Sequence, residues 1–483
     1  MGTLENLKPE AVWSIFDEIC KVPRPSKREG KIMAYLLEFA ERHGLEAKKD
    51  KLGNVLILGK ATAGMEDRPT VVLQAHMDMV CEKNADTVHD FDKDPIVPVI
   101  DGDWLKASGT TLGADDGIGM AAALAVLTDK TVEHGPIEAL FTVDEETGLT
   151  GAFGIETGFF SGKQLLNLDS EEENVIYIGC AGGMDTVINY KYTKAPVAAS
   201  DFCVNITVRG LKGGHSGSEI NVGRANAIKL LTSLLWSLAK KYGARIVSIS
   251  GGNLRNAIPR EAEATIVFNS RFKENVRVDL NCYAAECERV WSVTDSGVRI
   301  DLDSETVPAE SMTPDSTMAI LNALYACPHG VQSMSFKMPG LVESSTNLAS
   351  IKMVEGDKVM VQTSQRSAVD SLKKNVANSV AAAFAMIGAE IRQGEGYPGW
   401  EPNPDSPLLK KVVAAAKKVY GEDPDVCSIH AGLECGLFLE KYPDMDMISC
   451  GPTLSGVHSP DEKCNIPSVA RWYDFIKEVL KNL

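Results

Sequence analysis

The chain has 483 residues, 44% hydrophobic and 24% charged, a globular composition too long for one compact core, so two domains are expected. Its formal charge of −17 argues against nucleic acid and anionic membrane as partners. No apolar run is long enough to span a bilayer, and Met1–Lys8 lacks the basic start and apolar core of a secretory signal. Gly2 opens like a myristoylation signal, but Asn6-Leu7 does not supply the hydroxyl residue that would complete it. The eleven cysteines form no C-x-x-C pair, which predicts reduced, mostly buried thiols and a cytoplasmic location.

A first helix is expected over 9–20, and a second after Pro25. Ser26-Lys27-Arg28-Glu29 reads as a capping box, in which the serine caps a helix amide and the glutamate reaches back. Ile32, Leu36, Leu37 and Phe39 give that helix an apolar face, and Gly44 gives it a stop. Strands follow over 54–58 and 70–74, then an alanine-rich helix over 117–129. This alternation predicts an α/β fold with a largely parallel, three-layer αβα domain. The pattern changes near residue 190: 202–208, 262–269 and 358–363 read as strands, with an amphipathic helix over 227–238. Glycines and prolines from Gly394 to Pro407 mark a return, followed by helix (407–420), strand (446–449) and helix (467–483). The expected organisation is a catalytic domain made from residues 1–189 and 393–483, interrupted by an inserted α+β domain over 190–392.

Acids and histidines stand at the ends of apolar runs. Val71–Ala75 leads into His76-Met77-Asp78, and Thr110–Ala114 into Asp115-Asp116. Ile137–Val143 leads into Asp144-Glu145-Glu146, Gln164–Leu168 into Asp169, and Met447–Gly451 precedes His458. In open α/β sheets ligands bind beyond the carboxyl ends of the strands, so these endings are expected to converge. Two imidazoles and three carboxylates suit a pair of divalent metals, leaving Glu145 as a base. A two-metal hydrolase is the reading.

Several segments carry a resemblance to a known family. They are Gln74–Val80, Thr87–Phe91, Gly109–Asp115, Asp169–Glu173, Lys212–Gly217, Leu254–Arg260, His430–Gly436 and His458–Glu462. Together they resemble the co-catalytic zinc peptidases, a family that includes aminoacylases, carboxypeptidases and dipeptidases, and within it the branch cleaving Xaa-His dipeptides. The resemblance implies a zinc-peptidase catalytic domain with an inserted lid and dimerisation domain, and hence a homodimer. His76 and Asp169 would bind one metal and Glu146 and His458 the other, with Asp115 bridging. Zinc is the expected metal, with manganese or cobalt as alternatives. Asp78 would orient His76, and Glu145 would move the proton. Asp116 stands where relatives commonly carry asparagine and is not expected to be a ligand.

In relatives the histidine equivalent to His215 stabilises the developing oxyanion, often from a partner subunit; Asn256 has a similar implied role. Arg366 is the candidate clamp for a peptide's C-terminal carboxylate, because guanidinium meets carboxylate in a bidentate fork. Gly432 is expected to allow close backbone approach in the substrate pocket. The expected substrate is a short peptide, Xaa-His including β-Ala-His. A tripeptidase or an N-acyl amino acid deacylase or desuccinylase of the same family is the alternative. A metal-free binding or scaffold protein and a cysteine hydrolase stand outside it.

Overall fold

In a computed structural model that describes Leu4 and residues 6–483, the chain forms two compact units. Part of the Met1–Lys8 segment read for targeting signals, Gly2 included, lies outside the described residues. The first unit comprises the chain up to Gly179 with Trp400–Ser428 and Leu433–Leu483; the second comprises Cys180–Gly399 and Ile429–Gly432.

The first unit is built on an eight-stranded sheet. Its spatial order is Glu46–Lys49, Val55–Gly59, Ile137–Thr142, Val71–His76, Gln164–Asn167, Asp446–Ser449, Val175–Cys180 and Asp425–Ile429. The three pairings among Ile137–Thr142, Val71–His76, Gln164–Asn167 and Asp446–Ser449 are parallel. The sheet is mixed rather than largely parallel, because antiparallel pairings flank this centre. On one side the cause is local: Asp50 accepts the amides of Leu52, Gly53 and Asn54 at 2.9 Å, reversing the chain into a hairpin.

Every residue of Val71–His76 and Ile137–Thr142 is buried, as in strands covered on both faces. Helix Ala114–Thr128 packs on both strands and against Glu10–Cys20, while Pro407–Tyr420 packs on Asp446–Ser449 and on Ile466–Asn482. The result is an α/β unit of helices and sheet in layers.

The capping box at Ser26 does not form. The helix begins at Gly30, without a side-chain cap. Ser26 instead donates its hydroxyl to Asp78 at 2.8 Å, and Glu29 accepts the amides of Lys27 at 2.7 Å and Asp144 at 3.1 Å. Both side chains bond to residues remote in sequence, which local spacing does not reveal.

The second unit holds a nine-stranded sheet whose recorded pairings are all antiparallel. Leu231, Leu234, Leu235 and Leu238 of helix Ala227–Tyr242 share its core with Ile206, Ile266 and Phe268 from strands. Strand Gly182–Lys191 pairs along its whole length with Lys358–Ser367, and also with Glu390–Gln393. Those pairings put the crossings at Gly179/Cys180 and Gly399/Trp400, instead of 189/190 and 392/393. Eight of the eleven cysteines are buried. No helix among the described residues is long and apolar enough to cross a membrane.

Candidate metal centre

The first unit brings the strand-end residues together. His76 closes Val71–His76, Asp169 follows Gln164–Asn167, and Glu145 and Glu146 open the short helix after Ile137–Thr142. Asp115 lies in the turn before regular helix begins at Gly117; its ψ of 113° is not helical, and the Asp115–Asp116 peptide is cis.

The geometry is organised around Asp115. Its Oδ1 lies 3.1 Å from Nε2 of His76, which is also 3.3 Å from Oδ1 of Asp169. Its Oδ2 lies 3.0 Å from Nε2 of His458, which is 2.9 Å from Oε2 of Glu146. One carboxylate thus joins two sets, His76–Asp115–Asp169 and Asp115–Glu146–His458, each with potential ligand atoms within 4.8 Å of one another. Three protein donors with a fourth position left for water or substrate is the usual composition of a catalytic zinc site.

The electrostatics favour cations here. Burial, reinforced by neighbouring acids, raises the Glu145, Asp169 and Asp116 carboxyls above their ordinary values. Burial also works on Asp115, but His458 and His76 outweigh it and hold this carboxyl low. Hydrogen bonds to Asp115 and Glu146 push His458 up to about 11. The Oε1 atom of Glu146 is buried without a hydrogen-bond partner. Three acids, Asp115, Glu146 and Asp169, gathered around two imidazoles with one Glu146 oxygen unpaired, are a donor set that fits a pair of divalent ions. Asp116 is buried and accepts the Gly119 amide at 3.2 Å, a helix-capping arrangement rather than membership of either set.

Asp78 connects His76 with Glu145 and Glu146. Its Oδ1 lies 3.3 Å from Nδ1 of His76 and accepts the Glu145 amide at 3.0 Å; Oδ2 accepts the Glu146 amide at 3.3 Å. Burial pushes this carboxyl up, but His76, Ser26 and the Glu145 amide hold it below its usual range.

The supports behind these groups were not assigned from sequence. Buried Glu434 accepts from Gln74 at 2.6 Å and from Thr142 at 2.7 Å, and Asn167 donates to Gln74 at 2.6 Å. Glu434 stands inside the segment His430–Gly436 already singled out, but a motif letter carries no bond partner. Cys450 is buried, and burial pushes its thiol up to about 12, the environment of a packing cysteine rather than an activated nucleophile.

His215, Asn256, Arg366 and Gly432 belong to the second unit. Nδ1 of His215 accepts the amides of Gly217 at 3.3 Å and Ser218 at 3.1 Å, which places the imidazole proton on Nε2. Burial and the Arg366 charge lower its pKa, favouring the neutral ring. Arg366 is 8% exposed, donates to the Tyr397 hydroxyl at 3.2 Å and has an unpartnered Nε. With Asn256, Arg255, Asp185 and Tyr397 it lines a cavity of about 420 Å³. A Cβ on Gly432 would lie 3.1 Å from the Tyr397 ring, so glycine leaves this tyrosine its position beside Arg366.

Comparison with known proteins places this geometry in context. The model of peptidase family M20/M25/M40 matches residues 72–482. The chain is 43% identical to the cytosol non-specific dipeptidase of Escherichia coli, over 100% of its own length and 99% of that protein. It superposes on the crystal structure of aminoacylhistidine dipeptidase from Vibrio alginolyticus with a TM-score of 0.92 and 42% identity, covering 99% of this chain and 98% of that one. A tripeptidase from Staphylococcus aureus shares the fold at a TM-score of 0.57 and 16% identity, with 98% of each chain covered.

Proposed function

Because this chain belongs to peptidase family M20/M25/M40 and is therefore a hydrolase of peptide bonds, we propose that it is a two-metal dipeptidase cleaving Xaa-His peptides, β-Ala-His included. The observation that carries the two-metal reading is the division of the Asp115 carboxylate between the His76–Asp169 and Glu146–His458 sets. Xaa-His specificity is supported by the full-length likeness to an aminoacylhistidine dipeptidase, and the likeness to a non-specific dipeptidase supports a broader range of dipeptides.

When bound, two zinc ions (or manganese or cobalt) would polarise the scissile carbonyl and make a water acidic enough to attack. His76, Asp115 and Asp169 would hold one ion, and Asp115, Glu146 and His458 the other. Asp78, held by the amides of Glu145 and Glu146, faces His76 Nδ1 at 3.3 Å and orients the ring as an acceptor for the Nδ1–H. Glu145 takes a proton from the attacking water on a carboxylate oxygen and delivers it to the leaving amine. His215, neutral with its proton on Nε2, donates to the oxyanion, and the Asn256 side chain assists it. Arg366 grips the substrate's C-terminal carboxylate, and Gly432 keeps room beside Tyr397. The enzyme works in the cytoplasm, as the E. coli relative's name says of that protein, and as a homodimer through the inserted domain, which serves as a lid.

The test is hydrolysis of Ala-His, β-Ala-His, a tripeptide and an N-acyl amino acid by the purified chain, with chelator and then zinc. Chelator-sensitive cleavage of the two histidine peptides, restored by metal, is the expected result. Preference for the tripeptide or the acyl substrate overturns the specificity, and chelator-resistant turnover overturns the metal mechanism.

A further inference from the structure

Glu462 lies four residues beyond His458, is 2% exposed and belongs to neither ligand set. Its Oε2 accepts the amides of Leu112 at 2.8 Å and Gly113 at 2.9 Å. Its Oε1 accepts those of Ala114 at 2.7 Å and Asp115 at 3.3 Å. These are four successive amides of the turn that carries Asp115. The other side of that turn is held too: the Gly113 carbonyl accepts from Arg24, whose Nη1 donates to the Asp78 carbonyl at 2.7 Å. Gly113 sits at φ +69°, where a Cβ would press on Arg24 and Met79. A carboxylate facing converging amides makes charge-assisted hydrogen bonds, stronger than neutral ones.

We propose that Glu462 is a positioning residue for the metal pair, setting the Asp115 turn and the His458 loop at a fixed separation before any ion arrives. The inference rests on the two-metal reading above. His76 and Asp169 follow strands of the central sheet and keep their places without Glu462. His458, with a side chain 52% exposed, stands on a loop tied down by this carboxylate. The consequence of losing Glu462 therefore falls mainly on the Asp115–Glu146–His458 set.

Glu462→Gln keeps the shape but turns an NH₂ donor toward backbone donors. Metal-free wild type and Glu462→Gln are titrated with zinc by calorimetry. Two ions per wild-type chain are expected; the variant should keep its tighter ion within about threefold and bind the second about 10–100-fold more weakly. Unchanged binding, or equal weakening at both sites, overturns the role of Glu462. Fewer than two ions on wild type instead overturns the two-metal reading itself, and this inference with it. Hydrogen exchange on metal-free wild type tests the same claim without a variant. The amides of Leu112–Asp115 should already be protected; exchange at open-loop rates until zinc is added overturns the proposal.

Discussion

The two units hold their candidate residues in different ways. In the first, contacts of 2.9–3.3 Å link Asp169, His76, Asp115, His458 and Glu146 in a chain, most of them at the ends of buried strands. Asp78, Glu434 and Glu462 hold them from behind. In the second, loops carry more of the support: His215 Nδ1 takes two loop amides, its neighbour Ser216 donates its amide to the carbonyl of Asn256 on an exposed turn at 2.7 Å, and Arg366 stands on a strand beside Tyr397. Metal and proton chemistry tolerates little positional error, so it belongs on a cross-braced sheet. Substrate recognition tolerates more and is commonly placed on loops.

That contrast is tested most severely at the base. Glu145→Gln should lower kcat by about 10²–10⁴-fold while metal content stays at the wild-type level, since it removes a proton acceptor and no ligand. Wild-type turnover would remove Glu145 from the mechanism; loss of metal would make it a ligand. His215→Ala should reduce kcat by about 10²-fold with little change in KM, as expected of a donor to the transition state. An effect confined to KM would make His215 a binding residue. Arg366→Lys should raise KM about tenfold for free dipeptides, because an ammonium lacks the planar fork. The same substitution should spare a C-terminally amidated peptide, and equal effects on both would end the carboxylate assignment.

The smallest effect is on stability. Burial lowers His430 from 6.5 to about 3 and His329 from 6.5 to about 4, both in the second unit. Between those values and 6.5 the unfolded chain binds protons that the folded chain does not. Their stabilising contribution is therefore present above pH 6.5 and is lost as pH falls toward 4. Thermal melts of the metal-free chain should show Tm falling over that window, with a shallower slope in His430→Gln. An unchanged slope would assign the acid sensitivity to other groups.

Much of the first unit was legible from the pattern of residues. Continuous apolar runs ending in an acid or histidine marked Val71–His76, Ile137–Thr142 and Gln164–Asn167 and the groups they present. The alanine-rich stretch marked the helix after Asp116. The capping box was misread because Ser26 and Glu29 are the right residue types at the right spacing for a local role. Their bonds go to Asp78 and to the Asp144 amide. The alternating pattern of the second unit is visible in the sequence only from about residue 190; Gly182–Lys191 belongs to that unit through its pairings with Lys358–Ser367 and Glu390–Gln393, which local composition does not carry.

By itself, then, the sequence determined the α/β alternation, the residue types at the strand ends and the family. Each is written in local composition, spacing or motif order. Only the tertiary structure decided that one oxygen of Asp115 faces His76 and the other His458, and that Glu434 and Glu462 stand behind the site. Those contacts join residues as far apart as 360 positions, Gln74 to Glu434, and 350, Leu112 to Glu462. No periodicity reaches so far. Such bonds are chosen when packing brings two buried polar groups together and each must find a partner, because leaving one unpaired costs about 1–3 kcal/mol.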